Sequence, residues 1–151
     1  MSKNGLTISL NEVLFYFTRA GFGVNASIGV SEDFARSNIW IAQNGFDPSE
    51  CSLLALDNLD SQTSSLSIQF EKTGDGSHLF CPEDKVLSAI EASVSCVDWL
   101  EFNGLDGDLK LTNVDSPLLV VSALGANQCT GIQVSWTDKS NNHYEVNLKD
   151  D

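Results

Sequence analysis

The sequence predicts an α+β protein: a three-helix region over about residues 1–60, packed on a mainly antiparallel β-sheet over 61–151, in a single domain. In the first sixty residues, helix-start signals precede apolar residues spaced three and four apart. From Ser65 onward, apolar residues recur at every second position between turn-forming clusters. Helices followed by strands argue for α+β, not for alternating α/β units. No internal repeat is visible, and the connector Ser61-Gln-Thr-Ser-Ser65 is too short to separate two independent domains.

The first helix opens on Ser9-Leu-Asn-Glu12, a capping box in which serine and glutamate each satisfy a free backbone N–H. Leu10, Val13, Leu14, Phe17 and Ala20 fall on one face, with Asn11, Glu12, Thr18 and Arg19 turned away. Phe15 stands on the polar side and marks a candidate subunit contact. After Gly21-Phe-Gly23 the central helix runs from Gly29 to Gly45, with Ser31 as its N-cap, Glu32 and Asp33 at its positive end and Gly45 as its stop. Val30, Phe34, Ser37 and Ile41 share one side, Trp40 flanks them, and Ala35, Ile39 and Ala42 continue round the back. Only Glu32, Arg36 and Gln43 make a polar strip, so this helix is expected to be buried on several sides and to cover one face of the sheet. A third helix is expected over Pro48–Leu59, capped by Asp47, with Pro48 at its first position and Glu50 completing a second box.

In the β half, Leu66, Ile68 and Phe70 alternate with polar residues. Thr73-Gly-Asp-Gly-Ser77 reads as a hairpin turn, and His78–Cys81 as its return strand. Residues 85–102 fit either a helix or a strand; the alternation of Ile90, Ala92, Val94 and Cys96 with Glu91, Ser93 and Ser95 favours a strand over Ala89–Val97, with a short helical turn near Glu83–Leu87 before it. A turn at Asn103–Asp108 leads to a strand over Leu109–Val114. Ser116-Pro117 starts a helix through Leu124, for which a buried strand competes. Gly131–Trp136 and His143–Leu148 pair across a turn at Asp138–Asn142, and the charged tail frays.

Twenty-one acidic residues against 8 basic ones give a net charge of -13, which repels nucleic-acid backbones and anionic membrane surfaces. The opening Met1–Leu6 lacks the apolar segment of a secretory leader, and no run approaches the roughly 18 apolar residues of a membrane span. Cys51, Cys81, Cys96 and Cys129 are far apart, with no histidine at zinc-site spacing; they read as reduced thiols of a cytoplasmic protein that binds no metal and no cofactor.

The densest set of candidate chemistry is Arg19, Glu32, Asp33 and Arg36. Arg19 and Arg36 are the only arginines. An arginine fork suits a carboxylate ligand, so a small anionic metabolite with Trp40 as an apolar wall is one reading. The alternative is structural: Arg36 pairs with Glu32 one turn earlier, and Arg19 with Glu12 or a helix terminus. Asn38 lies in the apolar arc of the central helix, where backbone or water satisfies its amide. His78 and His143 read as surface residues, and Asn103, Asp106 and Asp108 as a turn without the order of a calcium loop. Phosphate loops, dinucleotide fingerprints and hydrolase elbows are missing, and no catalytic residue is assigned.

Ser9-Leu-Asn-Glu-Val13, Arg19-Ala-Gly21, Gly29-Val-Ser-Glu-Asp33, Arg36, Trp40-Ile-Ala42 and Gly45 together resemble an uncharacterised bacterial family known as domain of unknown function 3726. In that family a Leu-Asn-Glu-like helix precedes a basic glycine-rich turn, a Gly-x-Ala-Glu-Glu segment and an Arg-x-x-x-Trp-Leu helix. Leu87–Leu100, with Asp98, is similar to a later apolar segment of the family. This chain lacks the lysine before Arg19, has a longer turn and carries Ser31 in place of alanine. The resemblance implies a bacterial protein and no particular activity. The expectation is a cytoplasmic, non-catalytic binding or assembly module, a homodimer; the alternative is an enzyme or enzyme subunit acting on a small carboxylated metabolite.

Overall fold

The computed structural model describes residues 7–74, 76–83, 85–104 and 107–149. The opening Met1–Leu6, the hairpin tip at Asp75, part of the turn expected at Glu83–Leu87, the centre of the turn at Asn103–Asp108 and the last two residues lie outside them. The fold is α+β: three N-terminal helices are followed by small sheets interleaved with two further helices.

Helix α1 spans Leu10–Gly23. The expected capping box forms: Ser9 Oγ accepts from the Glu12 N–H at 3.2 Å, and the Glu12 carboxylate accepts from the Ser9 N–H at 2.7 Å. The helix runs past Ala20 and carries Phe22 with it. Helix α2 spans Ile28–Gln43 and starts earlier than expected. Ser27, not Ser31, is its cap, accepting from the Val30 N–H at 3.4 Å. Ser31 is fully buried in the first turn and donates to the Ala26 carbonyl at 3.5 Å, because Gly21 of α1 presses on it. Gly45 ends the segment with φ 83°, as a left-handed stop requires. Helix α3 spans Ser49–Asp60; Asp47 accepts from the Ser49 N–H at 2.8 Å, while Pro48 stands just outside the helix and Glu50 closes no box.

The β half divides into three small sheets. β1 (Ser64–Ser65) pairs in parallel with β4 (Val86–Leu87). β2 (Gln69–Thr73) runs antiparallel to β3 (Gly76–Phe80), which pairs in parallel with β5 (Asp108–Leu111). β6 (Ile132–Thr137) and β7 (His143–Leu148) form a separate antiparallel hairpin. The strand expected over Ala89–Val97 is instead helix α4, Ala89–Asn103. Its buried residues Ala89, Ile90, Ala92, Ser93, Cys96 and Val97 follow helical spacing, but Ala89, Ala92 and Ser93 are small or polar and masked the pattern. Ser93 is buried because its hydroxyl donates to the Ala89 carbonyl one turn back. Helix α5 spans Pro117–Ala126 and buries every residue from Leu119 to Leu124.

These two late helices change what surrounds α2. The sheet was expected to cover it, yet α1 lies on one side and α5 and α4 on the other. The core is accordingly a helix cluster around Phe34, Ile41, Ile90, Val97, Leu119 and Leu124. The polar strip Glu32, Arg36 and Gln43 does face solvent. On the buried side Asn38 donates to the Phe34 carbonyl at 2.8 Å and accepts from Ser52 Oγ at 2.5 Å, tying α2 to α3. Both bonds satisfy an amide that would otherwise be costly to bury. No helix among the described residues is long and apolar enough to cross a membrane.

Candidate functional site

Two surfaces carry unusual side chains: the outward face of α1, and a crevice where α2, α4 and α5 meet. The first follows from the helical period. Val13 and Gly21 are buried, Gly21 against Ser31 of α2. Residues half a turn away must then face solvent, and these include Phe15, 54% exposed, and Phe22, 43% exposed. Asn11, Leu14, Phe15, Thr18, Arg19 and Phe22 line a shallow, mostly apolar groove along this face. Arg19 lies with its guanidinium carbon 5.3 Å from the Phe15 ring centroid, a cation–π arrangement. Phe15 also meets Tyr16 edge-on at 5.6 Å between centroids.

The second surface is a cavity of about 100 Å³. Phe34, Val94, Val97 and Ala123 give it an apolar floor, and Asp33, Asp98 and Glu101 set carboxylates around it. On the same helix, burial and the charge of Asp98 hold the Glu91 carboxyl above the usual carboxylate range. Carboxylates so placed disfavour an anion in the crevice.

The five residues singled out from the sequence fall in three places. Glu32, Asp33 and Arg36 meet on the exposed strip of α2: Arg36 donates to Asp33 at 2.8 Å and lies 3.9 Å from Glu32. Trp40 is half-buried and packs against Gly125 of α5, where its ring leaves no room for a Cβ. Arg19 lies apart on α1 and makes no ion pair among the described residues; Glu12, its expected partner, is engaged by Ser9. Neither of the two surfaces encloses both arginines. Phe22 was missed as a partner of Phe15. The apolar face given by the sequence stops at Ala20, and the spacing of seven residues between Phe15 and Phe22 was the available signal.

The remaining candidates have structural partners. His78 Nε2 shares a hydrogen bond of 2.5 Å with Thr112, and His143 Nδ1 one of 3.4 Å with Thr137. Asp115 accepts from the Ala89 N–H at 2.9 Å and from the Asn58 amide at 3.3 Å, so it caps α4 and holds α3 to it. Burial pushes its carboxyl up, while these bonds pull it back. All four cysteines are free; burial pushes the Cys96 thiol up to about 12 and raises Cys51 and Cys129 as well. Among the described residues, no group of three or more His, Cys, Asp or Glu could hold a metal ion. No protein-family model, curated protein or solved structure matches the chain.

Proposed function

We propose that this protein is a non-catalytic assembly module of a bacterial cytoplasm, a homodimer whose contact surface is the outward face of α1. The observation that carries the reading is the exposure of Phe15 and Phe22 along one groove, with Arg19 over Phe15. Contiguous exposed apolar surface, with a polar group at its edge, is the common mark of a protein contact. Four unpaired cysteines suit a reducing compartment. The likeness of residues 9–45 to the bacterial family of unknown function belongs to this proposal and adds no activity to it.

Light scattering over a range of concentrations tests the reading. The mass should rise above the 16.4 kDa of one chain, and Phe15→Asp should return it to that value. A strict monomer at high concentration would remove the homodimer. The competing reading, an enzyme acting on a small carboxylated metabolite, meets an electrostatic obstacle. Arg36 is already held by two carboxylates, and the adjacent crevice adds Asp98 and Glu101. A thermal-shift screen of organic acids decides it: a stabilising acid whose effect disappears in Arg36→Ala would restore the enzyme reading.

A further inference from the structure

We propose that α1 pairs with α1 of a second copy in antiparallel orientation, about a two-fold axis between Phe15 and Tyr16. The proposal rests on the assembly reading above and adds its orientation and register. Phe15 and Phe22 are one heptad apart on the solvent side of the helix. Written as a coiled-coil seam with both at position a, Thr18 falls at d, Leu14 and Gly21 at g, and Glu12 and Arg19 at e. The f positions, Val13 and Ala20, lie opposite the seam, and Val13 is buried. The helix therefore presents its a and e positions outward and its f position to its own fold.

Charge then selects the orientation. In a parallel pair, e residues meet g residues of the other helix, and Leu14 and Gly21 offer Arg19 no carboxylate. In an antiparallel pair, e meets e. Glu12 then meets Arg19 of the second copy and Arg19 meets its Glu12, while Phe15 lies beside Phe15 of the second copy at the axis. One two-fold rotation satisfies both ion pairs and the aromatic centre. Beyond the axis Phe22 reaches the Ser9 end of the other helix, where Ile8 is 42% exposed. The monomer leaves the charges ready for this. Both Ser9 bonds to Glu12 use Oε2, at 2.7 and 2.9 Å, so Oε1 is open to a guanidinium. Arg19 makes no ion pair among the described residues. A helix of 14 residues is about 21 Å long, so this seam alone lies at the small end of specific interfaces.

Sedimentation equilibrium of the full chain at physiological salt, where screening limits repulsion between two copies of charge -13, tests the register. Arg19→Glu and Glu12→Arg should each weaken association about tenfold or more, and the double variant should bring it back to within about threefold of the parent. Glu12→Arg removes half of the capping box. Glu12→Gln, which keeps a box-forming amide, is therefore measured beside it and should also weaken association, and circular dichroism checks that each variant is folded. A dimer indifferent to the single changes, or a folded double variant that stays monomeric, overturns the antiparallel seam and leaves the assembly reading standing. A monomeric parent protein overturns both.

Discussion

Helices α1 and α5 both pack on α2, and both meet it through a glycine. A Cβ on Gly125 would enter the Trp40 ring, and one on Gly21 would lie 2.6 Å from Ser31 Oγ. Beyond that contact the two helices differ. Helix α5 buries Leu119 through Leu124 and exposes only Leu118 among its large apolar side chains. Helix α1 fully buries Val13 and Gly21 alone and leaves Leu10, Phe15, Tyr16 and Phe22 in solvent. Apolar content therefore does not decide burial here; the number of neighbours does. Helix α5 lies between α2, α4 and α3, whereas α1 has α2 as its main support. Helix α5 is almost wholly consumed by the core, and helix α1 keeps one face in reserve.

The contrast makes quantitative demands. The largest effect belongs to α5: Leu119→Ala should lower unfolding free energy by about 3 kcal/mol, read from urea denaturation, because a 1%-exposed leucine leaves a cavity that its neighbours only partly fill. A loss below about 1 kcal/mol would mean that α5 is less tightly held than its burial implies. Next, Gly125→Val should cost about 2 kcal/mol, because the added carbons must displace Trp40. Tryptophan fluorescence should shift with it, and an unchanged spectrum with full stability would contradict the close approach. At the other end of the scale, Phe15→Ser on the reserved face should change monomer stability by no more than about 0.5 kcal/mol while altering association.

The helix starts differ in a second way, and pH separates them. At α1, bonds from the Ser9 backbone and hydroxyl hold the Glu12 carboxylate below its usual range. Its contribution is present above the ordinary carboxylate pKa and is lost as pH falls through the lowered value. At α4, burial holds Asp115 and Glu91 above that range. There the native state takes up protons before the unfolded chain does. Their contribution thus grows as pH falls through the raised values and levels off below about 4. Urea denaturation from neutral pH down to about 4 should show stability rising less steeply in Asp115→Asn combined with Glu91→Gln than in the parent. Parallel slopes would show that these carboxyls are not perturbed.

The same comparison explains which parts of the fold were readable from sequence. Signals carried by neighbouring residues were legible: the Ser9–Glu12 box, the Gly45 stop and the solvent strip Glu32–Arg36–Gln43 are all local. Helix α4 was not legible, although Ser88 is a local cap whose hydroxyl accepts from the Ile90 N–H at 3.3 Å, because small and polar residues on its core face mimic a strand's alternation. Asp115, 26 positions away, caps the Ala89 N–H, and a serine at position 93 hides on the core side by bonding its own backbone. The start of α2 was misplaced for a related reason. Ser27 and Ser31 both resemble caps, and only the approach of Gly21 from another helix shows that Ser31 is interior. In the candidate site both partners of Arg36 lie within one turn; Glu32, at 3.9 Å, was expected as the structural alternative, while the closer Asp33, at 2.8 Å, was not. Phe22 needed the end of α1 to be placed one turn later.

Among the described residues the hairpin of β6 and β7 pairs with no strand of the other sheets. Val134 and Leu148 on its inner face pack against the core, its outer residues are exposed, and its stacked Trp136 and Tyr144 rings, 5.3 Å apart, hold the two strands to each other. Amide deuteration should therefore sweep through residues 132–148 early and as a block, while the protons of α2 and α5 persist. A protease nick at Lys139–Asn142 should likewise leave a body that still melts cooperatively, making this ribbon the natural place to attach a tag or reporter.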